Sequence, residues 1–239
     1  MVEFFLPLCL LYLGEWGEAL REIDATLTTL HRNGYHYRAQ LISLLRASLH
    51  LHALDFAGAR DRCESALPLV TDPLPRPAPN APPPYPSEFH SALIISGSAE
   101  AALGNQQRAM EHLSAARQDM DRSISVFDWY WKMPLEAGFT EVALAVGKVA
   151  QARAAAQQYR EVTLTTAERT WQALAWEANA RVAQAESDFT RAKNCAAKAL
   201  LTMEGFELPL AAWRVHATAA AIDAASGNLQ SARSHREAR

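Results

Sequence analysis

Apolar positions along this chain recur at three- and four-residue steps, the spacing that lines them up on one face of a helix. In the stretch AESDFTRAKNCAAKAL, Ala185–Leu200, the series is Phe189, Ala192, Ala196 and Ala199, and it continues to Met203. Just upstream, Trp171, Leu174, Ala178, Val182 and Ala185 form a second series, and Ser187-Asp188 breaks the pattern between the two. The pattern predicts a helix, a tight turn and a second helix.

The same unit recurs along the chain. LGEWGEALREIDATL, HALDFAGARDRCESAL, ALGNQQRAMEHLSAA, AVGKVAQARAAAQQY and ASGNLQSARSHREAR each carry a Gly or polar residue, a turn, and then an alanine at a fixed offset. With the first stretch there are six units, anchored on Ala19, Ala59, Ala109, Ala152, Ala192 and Ala232, which are 40, 50, 43, 40 and 40 residues apart. The hairpins are expected at approximately 1–34, 35–70, 86–121, 129–163, 166–204 and 208–239, in one continuous helical-repeat domain over 1–239. Gly in the turn supplies the left-handed backbone that ends a helix. Asp or Asn after it can cap the next helix. The small Ala lets two helices approach closely. A single hairpin cannot bury its apolar face alone, so it must stack on the next.

These slots resemble the tetratricopeptide repeat. Asp188, Phe189, Ala192, Ala196 and Ala199 fit the family's second-helix pattern, Trp176 its first-helix aromatic and Gly97 its small first-helix position. Ser43, Glu136 and His216 depart from that aromatic slot, and Thr26 and Tyr159 from the last alanine. The period of about 40 exceeds the family's usual ~34 and points to its extended variants. The texture of Thr166–Arg236 is further similar to the C-terminal helical arms of bacterial AAA-like signalling ATPases linked to adenylate-cyclase, kinase or LuxR-type domains. The resemblance implies an all-α, right-handed αα superhelix of about six hairpins, with first helices lining its concave surface. It also implies a non-catalytic arm that binds a protein, peptide or effector. The ATPase itself is missing from this sequence, because no GxxxxGK[ST] occurs.

Thr71–Glu88 holds eight of the twelve prolines and is expected to be an extended loop between the second and third hairpins. Its Pro82-Pro83-Pro84-Tyr85 matches a PPxY ligand of WW domains, with Tyr85 as the contact residue. The reading preferred here is a semi-rigid spacer. FDWYWKM, Phe127–Met133, is the densest aromatic cluster and precedes Pro134, expected as the first residue of the next helix. Trp129, Tyr130 and Trp131 cannot all face one side of a helix. They are candidate partner contacts, as are Phe4 and Phe5 in the apolar run Phe4–Leu13.

Composition narrows the function without naming it. The net charge of −3, with 21% charged and 49% hydrophobic residues, favours neither nucleic acid nor a membrane surface as the main partner. Phe4–Leu13 is too short to span a bilayer, and Glu3 stands where a signal peptide would carry a base. Cys9, Cys63 and Cys195 make no disulfide framework and fit a reducing, cytoplasmic setting. His50 and His52 point to different sides of a helix, so no metal is expected. Glu177 with Glu186, and Asp119 with Asp121, read as solvated helix faces rather than acid–base pairs. No catalytic residue, metal or cofactor is expected, and the chain is read as a non-enzyme. The expectation is an arm of a larger signalling ATPase, supported by the lack of a polar cap at Phe4–Leu13. The alternatives are a free-standing adaptor that self-associates through that face, or a small-ligand groove.

Overall fold

The computed structural model describes residues 2–71, 86–123 and 125–238. Among them are twelve α-helices and no strand: α1 (Val2–Tyr12), α2 (Trp16–Arg32), α3 (His36–His52), α4 (Phe56–Thr71), α5 (Pro86–Ala102), α6 (Gln106–Arg122), α7 (Asp128–Ala145), α8 (Val149–Leu164), α9 (Arg169–Ala185), α10 (Phe189–Met203), α11 (Pro209–Ala225) and α12 (Leu229–Glu237). The protein is all-α, and consecutive helices form the six expected hairpins.

The turns explain the regular punctuation. In the first, the Gly14 N–H donates to the Leu11 carbonyl and the Glu15 N–H to the Leu10 carbonyl, the paired bonds of a Schellman motif. The same pair closes the other five turns. The left-handed residue is glycine at Gly14, Gly104, Gly147 and Gly227, but Leu54 and Ser187 take that backbone with φ of 64° and 61°. Asp55, Asp188 and Asn228 then cap the following helix through their side chains. Asn105 instead donates to Glu100 at 2.6 Å and makes no cap.

The chain divides into two compact units, Met1–Gly138 and Phe139–Arg239, with the boundary inside α7. In the first, α1 to α6 pack in chain order, and α1 also packs on α3 and α3 on α5. In the second, α8 to α12 pack in order and α9 packs on α11. α1, α3 and α9 therefore touch both their hairpin partner and the next first helix. This accounts for their burial on several sides: α9 buries Trp171, Ala173, Leu174, Ala175, Ala178 and Ala180 within ten residues. Second helices bury one stripe, as α6 does with Ala109, Leu113, Ala116 and Met120. All six anchor alanines are buried. Gly97 has a packing role too, since a Cβ there would meet Leu113 Cγ at 2.9 Å and the Ala109 carbonyl oxygen at 3.2 Å.

Several expectations need correction. Pro134 lies inside α7, which starts six residues earlier at Asp128. The Asp128 carboxylate accepts from the Ser125 N–H at 2.7 Å and so stabilises an earlier start. The proline segment is not extended at its edges, since α4 runs through Thr71 and α5 begins at Pro86, a favoured first helical residue. Tyr85 and its PPxY match lie outside the described residues. Ala185 is exposed, not part of the buried stripe of α9.

Candidate functional site

On the first-helix side of Met1–Gly138, aromatic side chains distant in sequence converge. Phe4 and Leu8 of α1, Leu41 and Leu45 of α3, Ser91 of α5, and Tyr130 and Trp131 of α7 line a cleft. The Tyr12 and Tyr130 hydroxyls lie 2.8 Å apart, the Trp131 indole N–H donates to Ser87 Oγ at 3.3 Å, and the Phe4 ring stands 6.3 Å from that of Phe127. Each buried polar tip thus has a partner, which lets the rings pack in apolar surroundings. Trp131 also packs against the core cluster of Leu44, Ala47, Cys63 and Ile95. Beside the lining, the Trp129 ring, 55% exposed, stands 6.0 Å from that of Tyr130, and the Phe5 ring, 42% exposed, 5.5 Å from that of Phe4. The space in the cleft is about that of one water molecule, too small to enclose a small molecule, so the rings are closely packed and only the exposed ones beside them are open to contact.

A buried histidine bridge positions this aromatic turn. His90 of α5 is fully buried; its Nε2 lies 2.9 Å from Asp119 Oδ2 and its Nδ1 3.1 Å from Asp128 Oδ1. Each ring nitrogen faces a carboxylate oxygen, so the imidazole bridges Asp119 and Asp128. This bridge pins Asp128, the residue before Trp129, to α5 and α6. Asp119 is accordingly not a solvated partner of Asp121, as the sequence suggested.

The corresponding side of Phe139–Arg239 is ionic. Glu141, Glu177, Arg181 and Arg214, from α7, α9 and α11, form one ion-paired cluster. The expectation that Glu177 and Glu186 are solvated fails: their side chains are 2% and 12% exposed, and Glu186 pairs with Arg153 and Arg191. Nothing in the one-dimensional pattern marks this cluster. Its members lie about one repeat apart, at 141, 177–181 and 214, so only the repeat register could have aligned them.

Other chemical candidates resolve as local contacts. His50 Nδ1 lies 2.7 Å from Asp55 Oδ2 within its own hairpin turn. His216 Nδ1 and His235 Nδ1 lie 3.3 Å apart with ring centroids 5.6 Å apart. The two nitrogens meet almost head-on, as in one N–H···N hydrogen bond. Burial pushes the Cys63 thiol up to about 12, out of the range of a nucleophile at neutral pH. Among the described residues no group of three His, Cys, Asp or Glu is arranged to hold a metal, and no helix is long and apolar enough to cross a membrane.

No family profile matches the chain, and no curated protein is significantly similar in sequence. Among solved structures, the chain is similar in fold to BtubC (BKLC) from P. vanneervenii. The TM-score is 0.62 at 14% identity, over 92% of this chain and 87% of that one. At this identity the likeness is one of helical fold.

Proposed function

We propose that the chain is a non-catalytic recognition protein that binds a protein or peptide through the first-helix face of Met1–Gly138. The observation carrying this reading is the aromatic cluster, where Phe4, Tyr130 and Trp131 converge and the exposed Phe5 and Trp129 rings stand against Phe4 and Tyr130. Exposed aromatic rings standing on a closely packed aromatic base are what a partner's apolar side chains need as an anchoring surface. In this reading the repeats are of the extended tetratricopeptide type, and the chain serves in the cytoplasm as the partner-binding arm of a bacterial signalling or transcription-regulating system. The ATPase and effector functions would be supplied by other domains. No nucleic acid, membrane or cofactor enters the proposal.

A second reading, self-association as a free adaptor, is favoured by one feature of α1. Its residues Phe5 and Leu6 are 42% and 45% exposed on an otherwise apolar helix.

The test is selection of a displayed random-peptide library on the purified chain, repeated on Trp129→Ala and Phe5→Ala. The expected result is a consensus with an apolar or aromatic anchor that both variants lose. Failure to enrich any consensus, or a consensus indifferent to both substitutions, would contradict the reading. Sedimentation of the unliganded protein separates the self-associating adaptor from the monomeric arm.

A further inference from the structure

The ionic cluster of Phe139–Arg239 is built in two levels. At the floor, Glu177 accepts from Thr218 Oγ1 at 2.7 Å and from Arg214 Nη2 at 3.3 Å. At the mouth, Arg181 Nη1 and Arg214 Nη2 both donate to one oxygen of Glu141, Oε1, each at 2.5 Å. Exposure separates the levels: the Glu177 side chain is 2% exposed, whereas Glu141, Arg181 and Arg214 retain 33%, 32% and 32%. Close by, the Tyr159 side chain of α8 is 1% exposed, and its hydroxyl has no hydrogen-bond partner.

Two guanidiniums aimed at one point make a seat for a carboxylate, because each brings charge and directed N–H donors to it. Here the chain's own Glu141 fills that seat. Burial alone would raise the Glu141 carboxyl, but Arg214 and Arg181 outweigh it and hold it at about 2, so the position strongly favours an anion. Glu177 cannot leave without stranding buried donors. Glu141 can rotate towards solvent from a helix surface that is already part-exposed. An incoming carboxylate would then restore the same charge balance. Charge also favours this unit for an acidic partner: residues 139–239 carry twelve Lys or Arg against ten Asp or Glu, whereas residues 1–138 carry eleven against sixteen.

We propose that Glu141 is a resident plug in a carboxylate-binding seat, and that an acidic side chain of a partner peptide displaces it from Arg181 and Arg214. The seat is separate from the aromatic cleft and does not depend on it. Because the plug is tethered, it competes at a high effective concentration and keeps the wild-type seat weak. Removing its charge while keeping its shape opens the seat.

The experiment is fluorescence anisotropy with labelled hexaglutamate, and hexaglutamine as control, on the wild-type chain, Glu141→Gln, and Glu141→Gln combined with Arg181→Gln. Glu141→Gln is expected to bind hexaglutamate about ten-fold more tightly than wild type. The added Arg181→Gln should abolish that gain, and hexaglutamine should not bind. No gain in Glu141→Gln, or a gain that survives loss of Arg181, overturns the proposal and leaves the cluster as an interhelical tie. Should Glu141→Gln not fold, the wild type decides. Saturating hexaglutamate must shift the 15N Nε signals of Arg181 and Arg214, and unmoved signals overturn the plug.

Discussion

Met1–Gly138 and Phe139–Arg239 share hairpins, turns and buried anchor alanines, yet they present opposite chemistry on their first-helix sides. In the first unit rings from α1 and α7 gather around α3. In the second, carboxylates and guanidiniums from α7, α9 and α11 interlock. Packing between hairpins is carried by small residues such as Ala59, Ala109, Ala152 and Ala192, each buried to 0% exposure. The remaining positions of the first helices are thereby free to differ. The scaffold is set by alanine and glycine, the chemistry of each face by what stands beside them.

The sharpest way to break the comparison is to remove the His90 bridge from the aromatic unit. His90→Leu leaves Asp128, 6% exposed, without its buried partner and should cost about 3 kcal/mol in urea unfolding. A loss near zero would mean that the tie does not hold the turn bearing Trp129. Gly97→Ala tests the packing layer. Its new methyl meets Leu113 at 2.9 Å and should cost about 2 kcal/mol.

Acid should separate the units. The Glu141 carboxyl is held at about 2, below its ordinary 4.5, so between these values the unfolded chain takes up more protons than the folded one. This contribution is complete above about pH 4.5 and is lost as pH falls towards 2. Allowing for one-third exposure, it amounts to about 1–2 kcal/mol. In the first unit burial raises the Glu136 carboxyl, with Arg117 only partly offsetting it, so acidification relieves that group instead. Hydrogen exchange resolved by residue between pH 5 and 3 should show α9 and α11 losing protection, and Glu141→Gln should flatten that loss.

Gly147→Ala is a smaller test. Nothing lies within 4 Å of a Cβ there, so its cost is that of left-handed backbone alone, about 1 kcal/mol by thermal denaturation. A cost as large as that of Gly97→Ala would show that the turn is packed and not merely bent.

These elements differ in how far they could be read from the sequence. The second helices were legible because one buried stripe leaves a clean period, as in Ala192, Ala196 and Ala199. The turns were legible from Gly14, Gly104, Gly147 and Gly227; Leu54 and Ser187 show that the same backbone can form without glycine. First helices were harder, because burial on several sides blurs the period, and the start of α7 was misplaced at Pro134 because the Asp128 cap was not recognised. Phe4, Phe5 and Trp129–Trp131 stood out as dense aromatics, but their convergence needed the hairpin stack. Glu141, Arg181 and Arg214 look like ordinary surface charges in one dimension, and their pairing exists only across repeats.

The smallest effect on stability belongs to the substitution that probes the proposed recognition most directly. Trp129→Ala removes a ring that is 55% exposed and should change unfolding free energy by under about 0.5 kcal/mol. The direct test of the recognition claim is isothermal titration of the library-selected peptide into wild-type and Trp129→Ala protein of matched stability. The account predicts a loss of about ten-fold or more in affinity with an unchanged melting temperature. Equal affinity for the two proteins would contradict it.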